Sequence, residues 1–169
     1  MLDLLTTAAL LALVLAAAAT DLRARRIPNV LTVSGLAVGL ALRSPLGGAA
    51  LLDGALGAGA ALLVGVVFFA AQALGGGDVK LLAAVGAFTG WSELGPTLVV
   101  VAMMGGLLAL AEAVRRGVLV PVLANTGRLA VSLLTFARYG IRPAVRTPAS
   151  VTVPYGVAIA AGAIVARFL

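Results

Sequence analysis

The sequence predicts an all-α polytopic membrane protein: six transmembrane helices, with an amphipathic cytoplasmic segment between helices 5 and 6. Three observations carry this expectation. Of the 169 residues, 62% are hydrophobic and only 11% charged, whereas a soluble domain is roughly half apolar and about a quarter charged. The mean hydropathy is +1.17, more apolar surface than a soluble fold could bury. There are also 21 glycines, in keeping with membrane helices, whose small residues allow close approach.

A membrane crossing takes about 20 apolar residues. The first run, Leu4–Thr20, has Asp3 as its only early charge and arginines behind it. A signal peptide carries its basic residues in front, so this run reads as an uncleaved anchor. The second run, Ile27–Leu42, is entered through Pro28, which suits the first turn of a helix. The third is Ala49–Leu74. The fourth covers 79–95, with its apolar part at Val79–Gly90, Lys80 near its start and a short outer loop at Trp91–Gly95. The fifth is Pro96–Ala113 and the sixth Ala149–Leu169.

Between the last two runs lies the loop 115–148. Its Val118–Ala137 stretch is apolar enough to suggest a further crossing, but Pro121, Asn125, Gly127 and Arg128 interrupt it. Arg128, Ser132, Thr135 and Tyr139 share one stripe at helical spacing, as in a helix lying on a membrane surface. No internal repeat, low-complexity linker or soluble domain stands out, so residues 1–169 read as a single membrane-embedded domain.

Orientation follows from the cations. Of 12 lysines and arginines, only Arg43 and Arg167 lie on the side of the even-numbered loops. The rest, from Arg23, Arg25 and Arg26 through Lys80 to the arginines of the fifth loop, lie opposite. Positive residues stay inside, so the odd-numbered loops are cytoplasmic and both termini are outside. The net charge of +6 records topology and attraction to anionic lipid; nucleic acid is not an expected partner.

The composition also removes most catalytic chemistry. With no cysteine there is no thiolate nucleophile and no cysteine zinc site, and with no histidine there is no Ser-His triad or HExxH site. No metal and no cofactor is expected. A Ser-Lys pair fails because Ser92, the serine nearest Lys80 in sequence, falls on the opposite side of the membrane. Six carboxylates remain: Asp3, Asp21, Asp53, Asp78, Glu93 and Glu112. Asp3 and Glu93 read as solvated outer residues, and Asp53 as a helix-start residue. Glu112 is spaced for an ion pair with Arg115 or Arg116.

Asp21 and Asp78 differ, because both fall at the cytoplasmic ends of spans and so at one membrane depth. Ionisable groups there are costly and are functional candidates. Each also has an ordinary reading: Asp21 as a boundary residue paired with Arg23 or Arg25, Asp78 as a helix cap. Gly75, Gly76 and Gly77 precede Asp78 and open the backbone to unusual conformations and close neighbours. Two carboxylates brought together cannot both ionise easily, and the shared proton equips them for acid–base work on a peptide bond.

The pattern Asp21…Ile27-Pro28-Asn29, followed by Gly75-Gly76-Gly77-Asp78-Val79-Lys80-Leu81, resembles the prepilin peptidases (type IV leader peptidases), GxGD-type membrane aspartic proteases. It is most similar to the short peptidases of tight-adherence (Flp-type) pilus systems. Val153-Pro154-Tyr155-Gly156-Val157-Ala158 resembles a block found in the same family. The resemblance spans the chain. It implies removal of the short basic leader from a prepilin or pseudopilin at the cytoplasmic face of a bacterial-type inner membrane. Asp21 and Asp78 carry over as the catalytic pair, with Gly75 and Gly77, and Gly76 between them, forming the active-site loop. Longer members add a four-cysteine zinc domain and methylate the new N-terminus; without cysteine, peptidase activity alone is expected here.

Lys80, Gln72 and Asn29 are weaker candidates for substrate binding or support. Lys80 also suits snorkelling toward lipid phosphates, and Asn29 a helix cap. The Pro154-Tyr155-Gly156 turn reads as helix packing rather than chemistry. Helix dipoles assign Asp78 as base and Asp21 as acid, opposed at Asp21 by the nearby arginines. Two other classes stay open: a noncatalytic membrane subunit of a pilus or secretion assembly, and a small carboxylate-dependent ion transporter. The transporter would place its carboxylates near the midplane, and the assembly subunit would tolerate Asp21→Asn and Asp78→Asn.

Overall fold

The computed structural model describes residues 1–117 and 155–169. These form helices α1 (Leu2–Ala24), α2 (Asn29–Arg43), α3 (Gly48–Ala70), α4 (Gly76–Arg115) and α5 (Tyr155–Phe168), with a short 3₁₀ turn at Ser44–Leu46. The described residues contain no strand. The predicted amphipathic segment, most of the fifth loop and the beginning of the sixth run lie outside the described residues.

Four helices are long and apolar enough to cross a membrane: Leu2–Ala24, Asn29–Leu46, Gly48–Ala70 and Gly76–Arg115. With several such helices, the chain has the make-up of a multi-pass membrane protein. The described α5, at 14 residues, is shorter than a crossing. Several boundaries differ from those expected: α4 begins at Gly76 rather than Val79, and Trp91–Gly95, expected as an outer loop, is helical. α1 runs on past Thr20 to Ala24 and stops where Arg25 turns left-handed, with φ 52°. α3 stops at Ala70 rather than Leu74, because Gln72 adopts φ 59° and the backbone leaves the helix.

The 40 residues of α4 would measure about 60 Å if straight, twice the thickness of a hydrocarbon core. The helix does not run straight. Gly90 has φ 79° and ψ 173°, a backbone state that a side chain resists. The first segment leaves the Asp21 end of the molecule, where Gly77 meets Ile27, and arrives at Arg43 and Asp53. The second segment returns beside α5, with Val101 against Gly162 and Gly105 near Tyr155. α5 itself runs antiparallel to α1, from Asp21 at its start to Asp3 at its end. The α4 segments therefore form a hairpin.

The first segment of α4 is the centre of the bundle. Leu81, Leu82, Ala84, Val85 and Phe88 are buried against Leu10, Leu13, Val14 and Ala17 of α1 and Ile159 of α5. Against α3 the contact is backbone to backbone: a Cβ on Gly57 would lie 2.5 Å from the Gly86 carbonyl oxygen, and one on Gly86 equally close to that of Gly57. Side chains at these two positions would force the helices apart.

Candidate active site

Asp21 sits in the last turn of α1, and at 7% exposure is the one buried carboxylate among the described residues. A buried carboxylate needs a donor, and the Gly156 backbone N–H supplies one to Asp21 Oδ2 at 2.8 Å. Asp78 is half-buried in the first turn of α4, where its Oδ2 accepts the Gly75 N–H at 2.9 Å. The two carboxylates are near enough for their charges to act on one another. The charge of Asp78 in turn reaches the half-buried Tyr155. Residues far apart in the chain, from α1, α4 and α5, thus meet at one end of the bundle.

Local geometry corrects several expectations. The helix cap before Asp78 is Gly75, with φ −85° and ψ 159°, and Asp78 is the third residue of the helix. None of Gly75, Gly76 and Gly77 has positive φ, so this loop uses its glycines for proximity instead of unusual backbone states. A Cβ on Gly77 would lie 3.2 Å from Ile27 Cβ, and one on Gly75 3.1 Å from Asp78 Oδ2. One on Gly76 would meet nothing nearer than Phe69 Cε2, at 3.9 Å. The dipole contrast between Asp21 and Asp78 is offset, since Asp21, in the last turn of α1, also accepts an N–H at the start of α5, as Asp78 does at the start of α4. Gly156, in a turn expected to serve packing, touches a carboxylate directly.

Lys80 and Asn29 belong together: Lys80 Nζ donates to Asn29 Oδ1 at 2.8 Å, tying the start of α4 to the start of α2. Gln72 is exposed in the turn after α3. Of the four remaining carboxylates, Asp3, Asp53 and Glu112 have cationic partners. Glu112 pairs with Arg115 and Arg116, as its spacing predicts. Asp3 is solvent-exposed, as expected, and also pairs with Arg167, which donates to Thr7 Oγ1 as well.

At the opposite end of the bundle, Asp53 is more than a helix-start residue. Arg43 Nη1 donates to its Oδ2 at 2.8 Å, and Arg43 Nη2 donates to the Phe88 carbonyl at 2.8 Å. The Ser92 N–H reaches Asp53 Oδ1 at 3.3 Å. This cluster grips α4 on both sides of its break. Sequence reasoning counted Arg43 only as a topological charge. Its pairing with a carboxylate ten positions later was the available signal.

The sequence of this chain matches the model of the type IV leader peptidase family over residues 8–110. Among curated proteins it is similar to a prepilin leader peptidase/N-methyltransferase of Myxococcus xanthus (strain DK1622), 33% identical over 131 residues, covering 73% of this chain and 39% of that protein. It is also similar to a prepilin leader peptidase/N-methyltransferase of Pectobacterium carotovorum subsp. carotovorum, 38% identical over 106 residues, covering 59% of this chain and 38% of that protein. The chain spans about two fifths of the length of these curated relatives. No solved structure gives a significant match. The match over residues 8–110 covers α1 to α3 and most of α4, including both Asp21 and Asp78. By that match, the chain belongs to the type IV leader peptidase family.

Proposed function

We propose that this chain is a membrane aspartic endopeptidase that removes the short basic leader of type IV or Flp-like prepilins at the cytoplasmic membrane face. The observation that carries the reading is that Asp21 and Asp78, from α1 and α4, lie at one end of the bundle within reach of one another's charge, in a member of the leader peptidase family. In this reading one carboxylate takes a proton from water as the water oxygen attacks the scissile carbonyl. The other gives its proton to the carbonyl oxygen. As the tetrahedral intermediate collapses and the C–N bond breaks, the first carboxyl passes its proton to the departing nitrogen and the second carboxylate takes one from a hydroxyl of the intermediate, which restores the pair. Neither residue is assigned one fixed role, because each carboxylate accepts one backbone N–H.

The same reading takes the chain as one membrane-embedded peptidase domain with six crossings and both termini outside. Its supports are the α4 hairpin at Gly90, which turns one long helix into two oppositely directed segments, and the concentration of cations at the Asp21 end. Peptidase activity without N-methylation is part of the proposal, supported by the lack of cysteine in these 169 residues.

The test is cleavage of prepilins from a panel of type IV and Flp-type substrates by wild type, Asp21→Asn and Asp78→Asn, each confirmed as folded in the membrane. Cleavage by wild type and by neither variant, with mass spectrometry showing an unmethylated new N-terminus, is the expected result. Cleavage by both variants overturns the dyad. No cleavage by wild type across the panel favours a noncatalytic assembly subunit.

A further inference from the structure

The first turn of α5 lies beyond the residues matched by the family model, yet it supplies a hydrogen-bond donor to the Asp21 carboxylate. Two independent features converge there. The Gly156 N–H is a buried donor to Asp21 Oδ2 across 2.8 Å, linking residues 135 positions apart. Gly156 also leaves no room for a side chain: a Cβ would lie 2.8 Å from Asp21 Oδ2, 2.9 Å from Asp21 Cβ and 3.1 Å from Asp21 Cγ. The approach that permits the hydrogen bond is therefore available only to glycine. On the other side of Asp21, the α1 backbone is held by its own carbonyl accepting the Arg25 N–H at 2.8 Å. The carboxylate is thereby clamped between the end of α1 and the start of α5, while its partner Asp78 is oriented separately by the Gly75 N–H.

We propose that Gly156 is a positioning residue for Asp21, its N–H aiming the carboxylate toward Asp78 and its missing side chain making that approach possible. This rests on the catalytic reading of Asp21 and Asp78. The substrate need not touch Gly156, since the residue acts through the carboxylate. A hydrogen bond to a charged group is among the stronger ones, and losing an orienting partner typically costs about 10- to 100-fold in activity.

Two variants separate the contributions. Gly156→Ala keeps the N–H and adds the obstructing methyl. Glycolic acid at position 156, introduced by nonsense suppression, replaces the N–H by an ester oxygen and adds no atom. Both are assayed in the full chain on a prepilin that wild type cleaves, with Asp21→Asn alongside. The expected result is a kcat lower by about 10- to 100-fold in each, with KM within about twofold of wild type. A packing role alone lowers the yield of folded protein and leaves kcat per folded molecule unchanged. If Gly156→Ala does not accumulate, the ester variant decides, having nothing new to accommodate. Wild-type kcat in the ester variant while Asp21→Asn is inactive overturns the role of Gly156 alone. Wild-type cleavage by Asp21→Asn overturns the catalytic reading itself.

Discussion

At the scale of single residues, two hydrogen bonds of the candidate site, Gly156 to Asp21 and Lys80 to Asn29, each join two helix ends, while Gly75 to Asp78 closes the start of α4. The Lys80–Asn29 bond is exposed and spans the start of α4 and the start of α2, so its stabilisation is about 0.5–1.5 kcal/mol. Lys80→Met and Asn29→Leu are each expected to lower kcat/KM severalfold, and the double variant to be no worse than the more damaging single one. Fully additive losses in that cycle would show the two residues acting apart. The glycine loop makes a sharper distinction. Gly76→Ala has open space and is expected to retain cleavage within about twofold. Gly77→Ala presses on Ile27 and is expected to lose most of it. Comparable activity in the two variants would show that the close approach of Gly77 to Ile27 is unimportant.

At the scale of elements, α4 sets the architecture. Its first segment is wrapped by the other helices, and its reversal at Gly90 is held by Arg43 and Asp53. The Arg43–Asp53 pair is partly shielded, with side-chain exposures of 15% and 29%. Removing one partner leaves the other without its counter-charge and frees the Phe88 carbonyl. Arg43→Gln is expected to destabilise the folded state by about 2 kcal/mol, read as a lower unfolding midpoint in detergent. Gly90→Ala is expected to cost more. Its Cβ would lie 1.9 Å from Asp53 Oδ2, and φ 79° is unfavourable for alanine. An unfolding midpoint for Gly90→Ala equal to that of wild type would mean that the hairpin is not held at this point.

At the scale of the whole molecule, the proposed orientation divides the bundle into an outer end, with Arg43 and Asp53, and a cytoplasmic end, with Asp21 and Asp78. The absence of cysteine makes this directly measurable. Gly48 and Gly95 have no neighbour within 4 Å of an added Cβ, and Gly76 has only one, at 3.9 Å. Single cysteines at these positions should fold normally. A membrane-impermeant thiol reagent added to intact cells is expected to label Gly48→Cys and Gly95→Cys, and to label Gly76→Cys only after lysis. The opposite pattern would invert the topology and move the carboxylates outside, away from the proposed cytoplasmic leader.

What the sequence determined by itself was the helical, multi-pass class and the position of each ionisable residue along its helix. Both follow from local solvent preference: apolar runs seek lipid, and charges collect at their ends. Leu2–Ala24 and Gly48–Ala70 were legible in that way, as was the Glu112 pair with Arg115 and Arg116, because helical spacing dictates it. Position along a helix does not say which residues touch. That was left to the packing of helices, which placed Gly156 against Asp21, Lys80 against Asn29, and Arg43 against both Asp53 and the Phe88 carbonyl. Those contacts join different helices through backbone groups, a glycine gap and side-chain pairs, and none of these leaves a periodic trace in the sequence. Tertiary structure alone decided them because each depends on how closely two helices approach, and that distance belongs to the pair of helices together.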